Sequence, residues 1–84
     1  MNNFILEYEI LNLDKFTCNK LIDKKVRIYL TRKDLEKQEY VGIICEVSLS
    51  SNEPHKPFDI TIELEGGNKT SFGIIGINKI EFLE

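Results

Sequence analysis

Apolar and polar residues alternate along three stretches of the chain, and this spacing is typical of β-strands that bury one face. The clearest alternation spans residues 58–65, with its apolar positions at Phe58, Ile60, Ile62 and Leu64. An earlier stretch, residues 41–49, has its apolar positions at Val41, Ile43, Cys45, Val47 and Leu49. The third stretch has its apolar positions at Val26, Ile28 and Leu30. The pattern predicts three strands whose apolar residues face the core and whose intervening residues face solvent.

Turn residues and a further alternation predict two more strands later in the chain. Gly66, Gly67 and Asn68 accept the positive φ angles that hairpin turns need, so residues 69–75 are expected to return antiparallel to residues 58–65. A short kink or a single 3₁₀ turn over residues 76–78 then leads to the last strand. The inward positions of that strand are Ile77, Ile80 and Phe82.

The first 22 residues leave two alternatives open. Apolar residues at every second position from Phe4 to Ile10 favour an extra strand. Asp14 is a good helix N-cap and favours a short helix over residues 15–22. The helix would bring together on one face Cys18, Leu21 and Ile22.

Two polar segments separate the strands. Residues 50–57 predict a loop. Residues 31–39 predict either one helical turn that begins at Thr31 or a long hairpin loop.

Short strands joined by tight turns predict a mainly β protein: a small five- to six-stranded antiparallel barrel with a short N-terminal helix or strand. The composition agrees, because alanine is absent and isoleucine, valine, phenylalanine and tyrosine dominate the apolar set. The length of 84 residues predicts one domain over 1–84, with an extension at 1–22 and the barrel at 23–84. A chain of this size buries one thin core without a deep substrate cavity.

Four segments carry a resemblance to the SH3-like and Sm-like small barrels, namely residues 25–30, 40–44, 58–64 and 75–80. Their order, V-x-I-x-L, G-x-I, F-D and G-x-x-x-I, is similar to the two Sm motifs over about three-quarters of the chain. It also resembles the Rof-like and YolD-like bacterial proteins. The resemblance implies a barrel. It does not imply the family's RNA pocket, because Glu63 and Ile75 stand where the Sm motifs have Asn and Arg.

Charge is segregated along the chain, although the net charge is only −3. Residues 15–37 contain eight Lys or Arg and three Asp or Glu. Residues 38–84 contain the reverse, three Lys or Arg and eight Asp or Glu. The basic segment and its neighbouring tyrosines form the candidate binding set: Lys24, Lys25, Arg27, Tyr29, Arg32, Lys33, Lys37 and Tyr40. This set suits a protein partner anchored by tyrosines or, as the alternative, RNA or single-stranded DNA held by the cations.

Catalysis and bound cofactors are not expected. His55 is the only histidine and has no cysteine or second histidine at metal-ligand spacing. Cys45 is predicted to face the core, which separates it from any base. The acids Asp59, Glu63 and Glu65 are expected to form a solvated strand face. The sequence therefore predicts a non-catalytic binding module, a small regulatory protein-interaction barrel, with no metal and no cofactor.

The expected location is the cytoplasm, because the N-terminal residues lack a basic, apolar leader and no stretch is long enough for a membrane span. Cys18 and Cys45 are expected to stay reduced there. Exposed apolar surface is predicted at Ile44, Ile75 and Leu83. It favours self-association into a homo-oligomer, or a hydrophobic partner.

Overall fold

The computed structural model describes residues 3–34, 36–52 and 55–83, and within these residues six strands form one antiparallel sheet. The strands are β1 (Phe4–Leu6), β2 (Lys25–Leu30), β3 (Glu39–Leu49), β4 (Pro57–Leu64), β5 (Lys69–Gly73) and β6 (Ile77–Phe82). The remaining elements are helices α1 (Glu7–Ile10) and α2 (Lys15–Lys20) and a 3₁₀ turn (Ile74–Gly76). The predicted mainly β class is confirmed.

The strand order in the sheet is β1-β6-β2-β3-β4-β5. Strands β2 to β5 pair with their neighbours in sequence, and β6 returns to pair with β2 on one side and β1 on the other. In the described part of the chain no ladder joins β1 to β5. The sheet is therefore open at these two edges, and the barrel closure is not part of the observed pairing.

Isoleucine dominates the core. Fully buried side chains come from β2, β3, β4 and β6 and include Val26, Ile28, Ile44, Ile60, Ile62, Ile77 and Ile80. Ile10, Cys18, Leu21 and Ile74 add to them from the helices and turns. The inward positions predicted for β2 and β6 are confirmed at Val26, Ile28, Ile77 and Ile80, whereas Leu30 and Phe82 are half-buried at the margin of the core.

The predicted inward face of β3 is wrong in its first half. Ile44 pairs with Ile62, but Glu46 pairs with Thr61, so Cys45 is an extra residue that forms a bulge. A bulge reverses the alternation on either side of it. Ile44 therefore faces the core with no exposed surface, contrary to the prediction that it lies outside, while Val41 and Ile43 face outward with 39% and 45% exposed.

A second bulge changes the start of β4. Ser48 pairs with Asp59 and Leu49 pairs with Pro57, which leaves Phe58 without a partner in the ladder. Pro57 is buried in its place, and Phe58 is 51% exposed. The prediction that Phe58 lies in the core is therefore wrong. The prediction that Leu64 lies in the core is right only in part, because Leu64 is half-buried.

The N-terminal residues contain both of the elements that the sequence left open. Strand β1 is short because α1 begins directly after it, and it pairs with β6. Helix α2 begins after Asp14, whose Oδ1 accepts a hydrogen bond from the Thr17 N–H at 2.7 Å. Cys18 and Leu21, two of the three residues predicted to share one face of this segment, are buried.

The connections follow the sequence in most respects. Gly66 and Gly67 have φ angles of +100° and +94°, and the hairpin they turn joins β4 to β5. The 3₁₀ turn lies at Ile74–Gly76, two residues earlier than predicted, so β5 ends at Gly73. The described residues of the 31–38 segment contain no helical turn, which favours the loop alternative, and Leu35 lies outside the described residues.

Candidate binding surface on the outer face of the sheet

The outer face of β2, β3 and β4 carries a shallow groove that follows β3. Lys25 pairs with Ile43, and Ile43 pairs with Glu63, so these three residues form one row across the strands. A depression of about 480 Å³ is lined by Lys25, Val41, Gly42, Ile43, Glu63, Leu64 and Glu65. A neighbouring depression of about 330 Å³ is lined by Lys37, Glu39, Val41, Leu64 and Glu65. We call the two together the β3 groove.

The floor of the β3 groove is apolar because of the bulge at Cys45. Before the bulge, the odd-numbered residues of β3 point away from the core, and two of them are Val41 and Ile43. Two exposed β-branched side chains therefore stand in one line on a middle strand of the sheet. Such a line is unusual on a solvated strand face, where polar residues normally alternate with the buried ones.

The two sides of the β3 groove carry opposite charge. Lys25 lies on the β2 side, and Glu63 and Glu65 lie on the β4 side. None of these three side chains has an ion-pair partner within 4.0 Å among the described residues. Unpaired charges beside exposed apolar side chains can form ion pairs with a bound molecule while the apolar floor packs against it.

Arg27 and Tyr29, two members of the predicted binding set, are bound to residues of β6. Arg27 Nη1 lies 3.3 Å from Glu81 Oε1, and the Tyr29 hydroxyl donates to the same oxygen at 3.0 Å. Arg27 Nε also lies 3.8 Å from Glu39 Oε1. Lys79 Nζ lies 4.5 Å from the centre of the Tyr29 ring. Both residues point outward, but their polar groups are already engaged within the chain.

The other members of the predicted set are dispersed. Arg32 binds Asp34 through two hydrogen bonds of 3.1 and 2.6 Å, which raise the pKa of the guanidinium and lower the pKa of the carboxyl. Lys37 Nζ lies 4.6 Å from the ring of Tyr40, and that ring packs on Phe72 with 5.0 Å between centroids. Lys24 and Lys33 are exposed.

Several residues of this surface were not found from the sequence. Glu39, Lys79 and Glu81 meet the basic strand only through the pairing of β2 with β3 and β6. Val41 and Ile43 were assigned to the core. A cross-strand register joins residues that are distant along the chain, and alternation alone carries no signal of that register.

Neither a metal site nor a membrane-spanning helix is found in residues 3–34, 36–52 and 55–83. No three of their His, Cys, Asp and Glu side chains are grouped so that they could hold a metal ion. None of the helices there is long and apolar enough to cross a bilayer.

Comparisons of the chain with protein-family models, with curated proteins and with solved structures found no match. The resemblance to SH3-like and Sm-like barrels therefore rests on the residues quoted above.

Proposed function

We propose that the protein is a non-catalytic, cytoplasmic protein-interaction module that binds its partner through the β3 groove. The observation that carries this proposal is the line of two exposed apolar side chains, Val41 and Ile43, between unpaired charges on either side. Protein–protein interfaces combine a desolvated apolar centre with a polar rim, and the β3 groove has both.

The charges around the groove favour a protein over a nucleic acid. Two of the candidate phosphate-binding cations, Arg27 and Arg32, are already paired with carboxylates. Glu63 and Glu65 line the groove and would repel a phosphate backbone. The rival function, binding of RNA or single-stranded DNA, depends on the cations that remain, chiefly Lys24, Lys25 and Lys33.

The fold that we propose for the module is an SH3/Sm-like small barrel. Four strands, β2 to β5, form a meander, and β6 returns to the first strand of the meander after a short 3₁₀ turn. Bulges at Cys45 and Phe58 increase the bend and twist of the two longest strands. These features support a sheet that curls towards closure, and they agree with the resemblance noted in the sequence.

The proposal is tested by capturing partners from cell extract with three immobilised proteins: wild type, Val41→Thr/Ile43→Thr, and Ile75→Thr. Threonine keeps the β-branched shape that suits a strand, so the groove variant should fold. Ile75 is 80% exposed and lies outside the groove, which makes its variant the matched control. We expect wild type and the control to retain the same partner proteins, also after nuclease treatment. The groove variant should lose these proteins.

Direct binding of single-stranded RNA and DNA tests the rival function. If phosphates are bound, the logarithm of affinity falls with the logarithm of salt by about 0.7 per contact, and neutralising Lys24, Lys25 and Lys33 flattens that slope. Micromolar binding in physiological salt that these three substitutions abolish would overturn the protein-interaction proposal. Equal capture by wild type and the groove variant would do the same.

A further inference from the structure

The β3 groove has an ordered arrangement of charge. Strand β2 contributes Lys25 to one side, and the opposite side carries Glu63 at the end of β4 and Glu65 just after it. The rows across the strands run from Lys25 through Ile43 to Glu63, and from Arg27 to Val41. The unpaired cation Lys25 therefore stands on one side of the apolar line, and the unpaired carboxylates Glu63 and Glu65 stand on the other.

This arrangement is complementary to a copy of itself. Consider two copies packed face to face and related by a two-fold axis parallel to β3. Each row across the strands then lies opposite the same row of the second copy, but with the two sides of the groove exchanged. Lys25 then faces Glu63 of the other copy, and Ile43 meets its own counterpart. An axis perpendicular to the strands would instead place cations against cations, which opposes association.

We infer that the occupant of the β3 groove is a second copy of this chain, bound face to face about an axis parallel to β3. The inference rests on the proposed function and names its partner. The contact is isologous, so it closes at a dimer and does not propagate into a filament. Each copy supplies one unpaired Lys25 and one unpaired Glu63. One dimer therefore contains two Lys25–Glu63 ion pairs between the copies.

The spacing of the groove fits such a contact. Neighbouring strands lie about 4.8 Å apart, so the two charged sides are separated by about 10 Å with the apolar line between them. Lys69 on β5 is the neighbour of Glu63 in the β4–β5 ladder but lies beyond ion-pair distance, which leaves the carboxylate available. The apolar line is short and exposed ion pairs are weak and screened by salt, so the dimer is expected to be weak and salt-sensitive.

The first measurement is sedimentation of the wild-type protein from about 10 µM to about 1 mM in low salt. The apparent mass should rise from the monomer value of 9.8 kDa towards twice that value, and added salt should reduce it. Lys25→Glu and Glu63→Lys should each raise the dimer Kd about tenfold or more, because like charges then face each other. The exposed control Lys24→Glu makes the same change in charge as Lys25→Glu outside the groove and should leave the Kd near that of wild type.

Mixing the two single variants gives the decisive test. In a mixed dimer the chain with Lys25→Glu carries two carboxylates, the chain with Glu63→Lys carries two ammonium groups, and both contacts are again attractive. We expect two variants that are monomeric alone to form a heterodimer when mixed, which also shows that both are folded. The double variant Lys25→Glu/Glu63→Lys should dimerise like wild type.

Three results would overturn the inference, and they separate it from the proposed function. A wild-type chain that stays monomeric over the whole range excludes the second copy, while loss of a captured protein by the groove variant would still support the interaction module. A dimer that is indifferent to the charge reversals but lost in Ile75→Thr places the interface on the 3₁₀ turn. Single variants that fail to pair when mixed exclude the two-fold geometry.

Discussion

Gly42 on β3 lies so close to Glu63 on β4 that a Cβ atom added to it would lie 2.5 Å from the Glu63 carbonyl oxygen. The same atom would lie 3.1 Å from the Glu63 carbonyl carbon and 3.1 Å from Ile62 Cδ1. Two of these neighbours are backbone atoms, which cannot rotate away. The absence of a side chain at residue 42 therefore allows β3 and β4 to approach at the base of the β3 groove.

Gly42→Ala should destabilise the protein by about 1–3 kcal/mol, because the added methyl group forces the two strands apart. Gly73→Ala is the matched control, since its Cβ would meet nothing closer than Asp59 Oδ1 at 3.9 Å and its φ is not positive. That control should be neutral or stabilising by up to about 1 kcal/mol. Urea unfolding curves measure both, and equal midpoints for the two variants would contradict the close approach.

Ile62→Ala should cost about 2–5 kcal/mol, because Ile62 is fully buried and its removal leaves a cavity. Phe58→Ala should cost less than about 1 kcal/mol, since the bulge places half of that larger side chain in solvent. The free energy of unfolding of the two variants checks the register of β4. A greater loss from Phe58→Ala than from Ile62→Ala would show that the strand is paired without the bulge.

Cys45 should react with iodoacetamide much faster than Cys18. Cys45 is partly exposed, and its thiol lies 3.4 Å from the Thr61 carbonyl oxygen, to which it can donate. Cys18 is 1% exposed, and burial, followed by the charge of Asp14, raises the pKa of its thiol. Peptide mass spectrometry over a time course gives both rates. In urea the two rates should converge, and a Cys18 that reacts first in native protein would be incompatible with the packing of α2.

The contribution of Asp14 to stability should depend on pH. The hydrogen bond from the Thr17 N–H, with smaller effects of Lys20 and Lys56, lowers the pKa of this carboxyl from 3.8. A carboxyl with a lowered folded pKa stabilises the protein above its unfolded pKa, and that stability is lost as pH falls through the folded pKa. Wild type should therefore melt above Asp14→Asn at neutral pH, and the difference should shrink as the pH falls through the lowered folded pKa of the carboxyl. A difference that grows on acidification would refute the role of the ionised cap.

The sequence was most informative where a structure is local. The cap at Asp14 and the turn at Gly66 and Gly67 depend on neighbouring residues, and both were predicted in place. The two bulges were not predicted, because an extra residue in a ladder leaves no mark in composition. The bulge at Cys45 reversed the assignment of Val41, Ile43 and Ile44, and with it the floor of the candidate site.

The charged residues of the candidate site were predicted only as members of a basic segment. Alternation along β2 predicts that the side chains of Arg27 and Tyr29 point outward. In the structure both share the outer face with Glu81. Which of these charges are neutralised depends on the pairing of β2 with β6, between residues 47 to 56 positions apart. That pairing is a property of the whole sheet, so no local pattern contains it.

The place of β6 between β1 and β2 also sets an order of events during synthesis. The hairpins of β2 to β5 can form as the chain emerges, but β6 follows them and has to pair with two strands made before it. Until β6 has been made, one edge of β2 is unpaired, and the isoleucines that pack against Ile77 and Ile80 are exposed to solvent. The growing chain therefore exposes an unpaired strand edge until β6 has been made, and this is the interval in which pairing with another chain is least hindered.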